Sequence, residues 1–343
     1  MEPVRLALAG AGIIGRAHAG VIARDPGATL VAIADPAPAA ADYARELGVA
    51  HFADVADMLD DAKPEGLVVA SPNALHLPHA LAAIERRIPA LVEKPIADTL
   101  EAAASLVAAS DAARVPVLVG HHRRHSPTIA AARDAVRAGR IGRVVSVAAL
   151  CQYLKPDAYF DIAWRRAPGG GPVLINLIHD IDSLRHVVGE IASVQAATSN
   201  AVRGFPVEDT AALVLRFAEG AIGTVAITDA AAAPWNWEHD SGENPFYPHV
   251  AENCYYLAGT EGALALPRLD LWRYEGARGW TEPFARSRLE IVRADPLVVQ
   301  MRHFCRVARG EEAPLVSAED AARTLAATLA ARRSAETGAR IDL

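Results

Sequence analysis

The chain has 343 residues, of which 52% are hydrophobic and 22% are charged, and its formal net charge is -7. This composition excludes a disordered polar protein, and the acidic balance gives no electrostatic reason to bind nucleic acid or an anionic membrane. Because a single hydrophobic core stops growing at about 250–300 residues, the length favours two domains.

The sequence predicts a cytoplasmic location. The chain runs from Met1 into the apolar segment 6–9 without the basic, apolar and small-residue pattern of a signal peptide. Its apolar runs are shorter than the roughly 20 residues that span a bilayer. Its three cysteines, Cys151, Cys254 and Cys305, are scattered and odd in number, so we expect reduced, buried thiols.

Short apolar strands and helices alternate in the first third of the chain. Continuously apolar strands separated by helices predict a parallel sheet covered on both faces, in a doubly wound α/β domain at residues 1–120. The predicted strands are 6–9, 30–34, 67–70, 90–93 and 117–120, and the predicted helices are 15–24, 42–47, 77–87 and 100–113.

The pattern changes after residue 120. A helix at 172–188 is followed by three strand-like segments, and a tight turn at Glu219-Gly220 joins the last two as antiparallel neighbours. We predict an α+β domain at 121–343 on a mainly antiparallel sheet, with a last helix able to pack back on the first domain. Its strands are predicted at 144–150, 193–202, 210–217, 221–228, 253–257 and 262–266, and its other helices at 127–138, 296–308 and 318–336.

The loop Gly10-Ala11-Gly12-Ile13-Ile14-Gly15 follows the first strand and opens the first helix. The first glycine permits a tight turn, the second lets the backbone approach a pyrophosphate, and the third allows close packing of helix on strand. The helix N-terminus also offers N–H groups to phosphates. The predicted dinucleotide-binding residues here are Gly10, Gly12, Ile13, Ile14 and Gly15.

Asp35 ends the second strand about 20 residues after this loop, where a carboxylate can accept hydrogen bonds from ribose hydroxyls. It would repel a 2′-phosphate, and no arginine follows directly in Pro36-Ala37-Pro38. We therefore predict NAD rather than NADP as the cofactor. The alternative is a solvated loop acid.

Ser71-Pro72-Asn73 follows the strand 67–70, at the carboxyl edge where open α/β sheets bind ligands. We predict that it lines the nicotinamide half of the site, although a capped helix entry explains it equally well. His76 and His79 lie beyond it without carboxylate or thiolate neighbours, so structural histidines are favoured over a metal pair. The predicted cofactor site also includes His76, Glu93 and Lys94.

Lys94 lies in Glu93-Lys94-Pro95, at the end of the strand 90–93. The proline restricts the lysine and is compatible with a cis bond. An alcohol that is oxidised loses a hydride and a proton, and a fixed cation stabilises the developing alkoxide. The sequence therefore predicts a catalytic lysine rather than a surface one.

The helix 172–188 carries two distinct faces at about 100° per residue. Its apolar face comprises Leu174, Leu177, Ile178, Ile181, Leu184 and Val188, and its polar face comprises Asn176, His179, Asp182, Ser183 and His186, with Ile175 intruding. Taken alone, the pattern favours an ordinary amphipathic helix with a solvated face. The functional alternative is a polar face that lines a cleft, with His179 as general acid/base.

In combination, these motifs resemble the Gfo/Idh/MocA oxidoreductase family, the relatives of glucose–fructose oxidoreductase and inositol dehydrogenase. The resemblance rests on the glycine loop with Asp35, Ser71-Pro72-Asn73 with His76, Glu93-Lys94-Pro95, Gly169-Gly170-Gly171, His179-Asp180-Ile181-Asp182 and the tail Arg333 to Gly338. It implies a Rossmann domain, a second domain with an open antiparallel sheet, NAD(P)-dependent chemistry on sugars or cyclic polyols, and a homodimer or homotetramer assembled through that sheet.

By the same resemblance, Lys94 and His179 correspond to the family's catalytic lysine and histidine. The family commonly has an aspartate four residues before that histidine, where this chain has Ile175. We expect Asn176 at i−3 or Asp182 at i+3 to orient His179 instead.

The predicted substrate-binding residues are Lys94, His122, Arg123, Tyr153, Trp164, Arg165, Asn176 and His179. His122 and Arg123 lie in His121-His122-Arg123-Arg124-His125, where adjacent arginines disfavour a metal. Tyr153, Trp164 and Arg165 are predicted to wall the cleft, and core packing explains Trp164 almost as well. The aromatic segment Trp235 to Tyr247 predicts either a substrate lid or a subunit contact.

The leading functional prediction is an NAD-dependent dehydrogenase acting on a secondary alcohol of a sugar, cyclitol or related cyclic polyol. A second enzymatic alternative is a keto-sugar or dihydrodiol-type reductase or dehydrogenase that uses the same site. A third alternative is a non-catalytic NAD-binding regulator, which the missing aspartate at position 175 mildly favours and the retained Lys94 and His179 disfavour.

Overall fold

The computed structural model describes residues 2–343. The strands are β1 (Val4–Ala9), β2 (Ala28–Ala34), β3 (Ala50–Phe52), β4 (Gly66–Val69), β5 (Ala90–Val92), β6 (Val117–Val119), β7 (Val144–Gln152), β8 (Ile191–Ser199), β9 (Thr210–Phe217), β10 (Ile222–Thr228), β11 (Tyr255–Gly259), β12 (Gly262–Leu266), β13 (Asp270–Tyr274), β14 (Phe284–Arg288) and β15 (Ile341–Asp342).

The α-helices are α1 (Ile13–Arg24), α2 (Pro38–Leu47), α3 (Val55–Ala62), α4 (His76–Glu85), α5 (Leu100–Ala113), α6 (Pro127–Arg137), α7 (Ile178–Val188), α8 (Trp237–Ser241), α9 (Pro296–Ala308) and α10 (Ala318–Thr337). Within residues 2–343, none of these helices is long and apolar enough to cross a membrane.

The chain divides into two compact units. The first comprises the chain up to His125 together with Pro296–Leu325, and the second comprises Ser126–Asp295 together with Ala326–Leu343. The segment Pro296–Leu325 follows residue 120 in sequence, yet its contacts group it with the first unit, whereas we had expected only the last helix to pack on that domain.

A parallel sheet forms the core of the first unit, in the order β3-β2-β1-β4-β5-β6. The strands β4, β5 and β6 are buried throughout, as expected for strands covered on both faces. The doubly wound prediction is confirmed. Strand order reverses between β1 and β4, and such a switch point is where open α/β sheets bind ligands.

Sequence patterns missed β3 and α3 in this unit. Strand β3 has only three residues and two of them are exposed, so it carries no apolar run. Helix α3 is short and rich in aspartate, and the Asp54 side chain caps it by accepting hydrogen bonds from the Ala56 and Asp57 N–H groups. Both elements depend on their place beside β2 rather than on a strong local signal.

The second unit is built on a sheet in the order β14-β13-β12-β11-β7-β10-β9-β8-β15. Every neighbouring pair is antiparallel except β7 and β10, so the prediction of a mainly antiparallel sheet is confirmed. Buried and exposed residues alternate along β9, as expected for a sheet with one packed face and one open face. The packed face joins the core with side chains of α6, α7 and the end of α10.

Candidate active site

The glycine loop packs tightly in the first unit. Gly10 has φ +95, and a Cβ added to it would lie 2.6 Å from the Ala70 carbonyl oxygen, so only glycine fits there. A Cβ on Gly15 would lie 2.0 Å from the Gly10 carbonyl oxygen. A Cβ on Gly12 would have no neighbour within 4 Å, which leaves open space at the start of α1.

The N-terminus of α1 suits an anionic group. Gly12 is its N-cap residue, and among residues 2–343 no side chain makes a capping hydrogen bond to it, whereas α5 is capped by Thr99. Ile13 is 78% exposed and Ile14 is 48% exposed. The uncapped N–H groups, the helix dipole and the open space at Gly12 together fit a pyrophosphate.

Asp35 holds the glycine loop by hydrogen bonds and still has acceptor positions for a ligand. One carboxylate oxygen accepts a hydrogen bond from the Ala11 N–H and the other accepts from the Ala37 N–H, each at 2.8 Å. A carboxylate has about four acceptor positions, so a half-buried Asp35 still has positions for ribose hydroxyls.

His76 ties together the two strand-end segments on the β4 and β5 side of the sheet. Its ring nitrogens lie 2.8 Å from the Pro95 carbonyl oxygen and 2.9 Å from the Ser71 carbonyl oxygen. His76 is buried, and this burial lowers its pKa although both carbonyls act to raise it. Within this predicted motif, Pro72 and Asn73 are exposed and so available to a ligand, whereas the buried His76 holds the backbone in place.

Glu93, the residue before Lys94, forms a buried hydrogen bond with His18. The Glu93 carboxylate lies 2.8 Å from the His18 ring nitrogen Nε2 and accepts a hydrogen bond from the Lys94 N–H at 3.1 Å. Burial acts to raise the pKa of Glu93, but the hydrogen bond and charge of His18, with the charges of Lys94 and His122, hold that pKa at about 2. The bond between Lys94 and Pro95 is cis, and the Lys94 side chain is half-buried.

The segment His121–His125 is largely interior to the first unit. Arg124 forms an ion pair with Asp320, and the His125 ring packs edge-on against His303 at 5.2 Å. Arg123, a predicted substrate residue, is only 4% exposed, whereas His122 is half-buried. Residues 2–343 contain no group of three His, Cys, Asp or Glu side chains arranged to hold a metal.

In the second unit, Glu208 fixes the end of the glycine run. Its carboxylate accepts a hydrogen bond from the Val173 N–H at 3.1 Å, and burial raises its pKa. A Cβ on Gly171 would lie 2.2 Å from that carboxylate, so a larger residue there would displace the Glu208 side chain. The chain then forms one π-helical turn, Val173–Leu177, before α7 begins.

The polar face of this helical segment is not solvated. His179 is 9% exposed, and Asp182 and Ser183 are each 1% exposed. Asp180 accepts a hydrogen bond from the Tyr255 hydroxyl, and the Ser183 hydroxyl donates to the His179 carbonyl oxygen. The interpretation as an ordinary amphipathic helix with a solvated face is therefore wrong, because tertiary partners enclose both faces.

A buried lysine that the motifs did not reveal lies beside this segment. Lys155 Nζ donates to Asn176 Oδ1 at 2.8 Å and lies 3.1 Å from Asp229 Oδ2. Burial lowers the pKa of Lys155 against the raising effect of Asp229. Asn176 thus bonds to Lys155 rather than to His179, the residue we expected it to orient. The Tyr159 and Tyr153 rings lie 4.7 and 5.9 Å from the Lys155 ammonium, and aromatic residues on both sides of this lysine were visible in the sequence.

The predicted wall residues differ in their surroundings. Trp164 is 55% exposed, so the core-packing alternative for it is wrong. The Arg165 guanidinium lies over the Tyr159 ring at 3.9 Å and donates to the Tyr159 carbonyl oxygen. The Tyr153 hydroxyl is buried without a hydrogen-bond partner among residues 2–343, and burial raises its pKa well above the usual range.

The aromatic segment divides between core and surface. Trp237 is buried, stacks on Tyr255 at 5.4 Å and donates to Glu243, so it is core rather than lid or subunit contact. Trp235 and Phe246 are 43% and 84% exposed. The lid and subunit-contact interpretations therefore apply only to these exposed rings.

Both units match models of known families. A model described as an oxidoreductase family with an NAD-binding Rossmann fold matches residues 4–121, and a model of the GFO/IDH/MocA C-terminal domain matches residues 129–265. The chain belongs to the GFO/IDH/MocA oxidoreductase family. The resemblance inferred from the motifs is confirmed, and this GFO/IDH/MocA protein is an NAD-binding oxidoreductase, as the uncapped α1 and Asp35 also indicate.

Named members of the GFO/IDH/MocA family align over nearly the whole chain. The 1,5-anhydro-D-fructose reductase of Ensifer adhaerens is 29% identical over 337 residues, which cover 97% of each chain. The scyllo-inositol 2-dehydrogenase (NAD(+)) of Bacillus subtilis is 26% identical over 354 residues, 99% of this chain and 96% of that one. The WlbA dehydrogenase of Bordetella pertussis, solved with NADH and UDP-GlcNAcA, superposes with a TM-score of 0.82 at 27% identity over 99% of each chain.

Proposed function

We propose that this protein is an NAD-dependent dehydrogenase that transfers a hydride between nicotinamide and a secondary alcohol or ketone of a sugar, cyclitol or related cyclic polyol. The observation that carries the proposal is the common edge of the parallel sheet. Strands β1, β4 and β5 are neighbours, and Gly10, Ser71 and Lys94 follow their last residues directly or after one further residue. A nucleotide-binding loop and a cation therefore share the edge where such sheets bind ligands.

We assign the stabilisation of charge to Lys94 and the transfer of the proton to His179. Bound NAD supplies the acceptor for the hydride. The Lys94 ammonium stabilises negative charge on the substrate oxygen, and His179 takes the hydroxyl proton during oxidation and returns it during reduction. Both the reductase from Ensifer adhaerens and the dehydrogenase from Bacillus subtilis support assaying this chain in both directions.

The proposal favours NAD over NADP because the Asp35 carboxylate would repel a 2′-phosphate. It includes a reducing compartment such as the cytoplasm, since Cys151, Cys254 and Cys305 are buried thiols rather than disulfides.

The proposal also includes a homo-oligomer formed through the open face of the larger sheet. That face exposes Val214, Ile222 and Tyr256, and beside the last two it forms a shallow cavity of about 690 Å³. Exposed apolar side chains grouped on a sheet favour a protein contact. Sedimentation velocity on the wild type and on Val214→Glu tests this part, and a monomeric wild type would contradict it.

The first experiment measures NADH formation and consumption on a panel of sugars, cyclitols, sugar acids and cyclic diols with their ketones. Lys94→Met is compared with Lys63→Met, because Lys63 also precedes a proline but is exposed at the end of α3. We expect kcat to fall by roughly 10²–10³ in Lys94→Met, the usual cost of one lost charge-stabilising group, and to stay unchanged in Lys63→Met. Equal turnover in the two variants would contradict the role of Lys94, and NADH binding without turnover on any compound would contradict the dehydrogenase.

A further inference from the structure

Three polar residues of the second unit, Lys155, Asp229 and Asn176, meet just beyond the ends of two neighbouring strands. Strands β7 and β10 pair in parallel, with Gln152 opposite Thr228, so the residues that follow them emerge together. Lys155 and Asp229 lie just beyond these strand ends, and the Lys155 N–H donates to the Asp229 carbonyl oxygen at 2.9 Å. The side chains of both residues are buried.

The Lys155 ammonium is fully engaged by the protein. It bonds to Asn176 Oδ1 at 2.8 Å and to Asp229 Oδ2 at 3.1 Å, and it lies 4.7 Å from the centre of the Tyr159 ring. An ammonium has three N–H groups, and two oxygens and an aromatic face account for them. With 7% exposure, Lys155 acts by positioning its neighbours rather than by touching a substrate.

This contact fixes which way the Asn176 carboxamide points. A lysine only donates hydrogen bonds, so the oxygen of Asn176 must face it and the Nδ2 group must face away. Among residues 2–343, no acceptor receives a hydrogen bond from Asn176 Nδ2, and the side chain is half-buried rather than enclosed. Asn176 therefore presents an oriented, available donor three residues before His179.

We propose that Lys155 and Asp229 position Asn176 as a hydrogen-bond donor to a hydroxyl or carbonyl oxygen of the substrate, which makes Asn176 a specificity-determining residue. The inference rests on the proposed function, since it places the donor next to the proposed acid/base His179. The Asp229 carboxylate is itself held by Arg203, which lies 3.4 Å from it, so the group that orients the Lys155 ammonium is fixed in turn.

Asn176→Asp tests the donor with little change in shape. The variant keeps an oxygen for Lys155 and replaces Nδ2 with an acceptor. We expect KM for the best substrate of the panel to rise about tenfold or more, with a smaller change in kcat and an unchanged Kd for NADH, because a binding contact is lost. Lys155→Met should raise KM in the same direction and Lys155→Arg should restore part of it. Arg185→Met, which removes the ion pair between the buried Arg185 of α7 and Glu190 just beyond that helix, is the matched control.

A spectroscopic measurement separates this inference from the proposed function. The chain has six asparagines, so selective 15N-asparagine labelling gives few side-chain amide signals, and loss of one pair in Asn176→Asp identifies Asn176. That pair should shift in Lys155→Met and on addition of the best substrate, or of myo-inositol if nothing in the panel turns over. A shift without turnover would contradict the proposed function alone. An unmoved signal or a wild-type KM in Asn176→Asp would overturn the inference.

Discussion

The buried pair of Glu93 and His18 makes a strong prediction about stability. Glu93 is 8% exposed, and its pKa is about 2 in the folded protein against an ordinary value of 4.5. Each pKa unit corresponds to about 1.4 kcal/mol, so the ionised carboxylate stabilises the fold by about 3 kcal/mol at pH 7. Glu93→Gln removes the charge and keeps the shape, and we expect the free energy of unfolding to fall by about that amount.

The sign of the pH dependence follows from the direction of the pKa change. An acid whose pKa is depressed on folding adds stability above its unfolded pKa, and this stability is lost as the pH falls through the folded value. The difference between wild type and Glu93→Gln should therefore shrink from about 3 kcal/mol at pH 7 to roughly half of that at pH 3.

Urea unfolding followed by far-UV circular dichroism measures this difference. Tryptophan fluorescence would not, because Trp164, Trp235, Trp237, Trp272 and Trp280 all lie in the second unit. Glu312→Gln is the control, since Glu312 also pairs with a histidine, His303, but is exposed. We expect little change in that variant. The reasoning would be refuted if wild type and Glu93→Gln had the same free energy of unfolding at pH 7, or if their difference were as large at pH 3 as at pH 7.

Three further predictions concern the cofactor loop and one acid. Gly10→Ala should lower Tm, because the new Cβ would lie 2.6 Å from the Ala70 carbonyl oxygen. Gly12→Ala should leave Tm unchanged and weaken NADH binding in a fluorescence titration, because its Cβ would enter the open space at the start of α1. Equal Tm values in the two variants would contradict the packing argument. Asp35→Ala should raise the kcat/KM ratio of NADP over NAD, and an unchanged ratio would remove Asp35 from cofactor choice. Burial raises the pKa of Asp240 to about 7. As the pH rises from about 4 to 7, the free energy of unfolding of the wild type should therefore fall relative to that of Asp240→Asn. Parallel urea midpoints of these two proteins across that range would contradict the raised pKa.

Local patterns in the sequence were sufficient for most elements of both units. Continuously apolar strands marked the parallel sheet, and the helix α5 and the strands β9 and β12 have the predicted bounds. Elements without such a pattern escaped, notably the edge strands β3 and β14, most of whose residues are exposed. Periodicity reports burial against one neighbouring layer, so an edge strand gives little signal.

The sequence by itself determined the nucleotide loop, because the glycines at positions 10, 12 and 15 and the acid at position 35 have the recognisable spacing of a strand, a phosphate-binding turn and a helix followed by a second strand. Only the tertiary structure decided the electrostatics around Asn176. Lys155 lies 21 residues from it, and Asp229 reaches the same point from another strand. Such contacts depend on sheet register and on the burial of polar groups. Periodicity within one segment does not encode which distant charged residue will pair with a buried polar group of that segment.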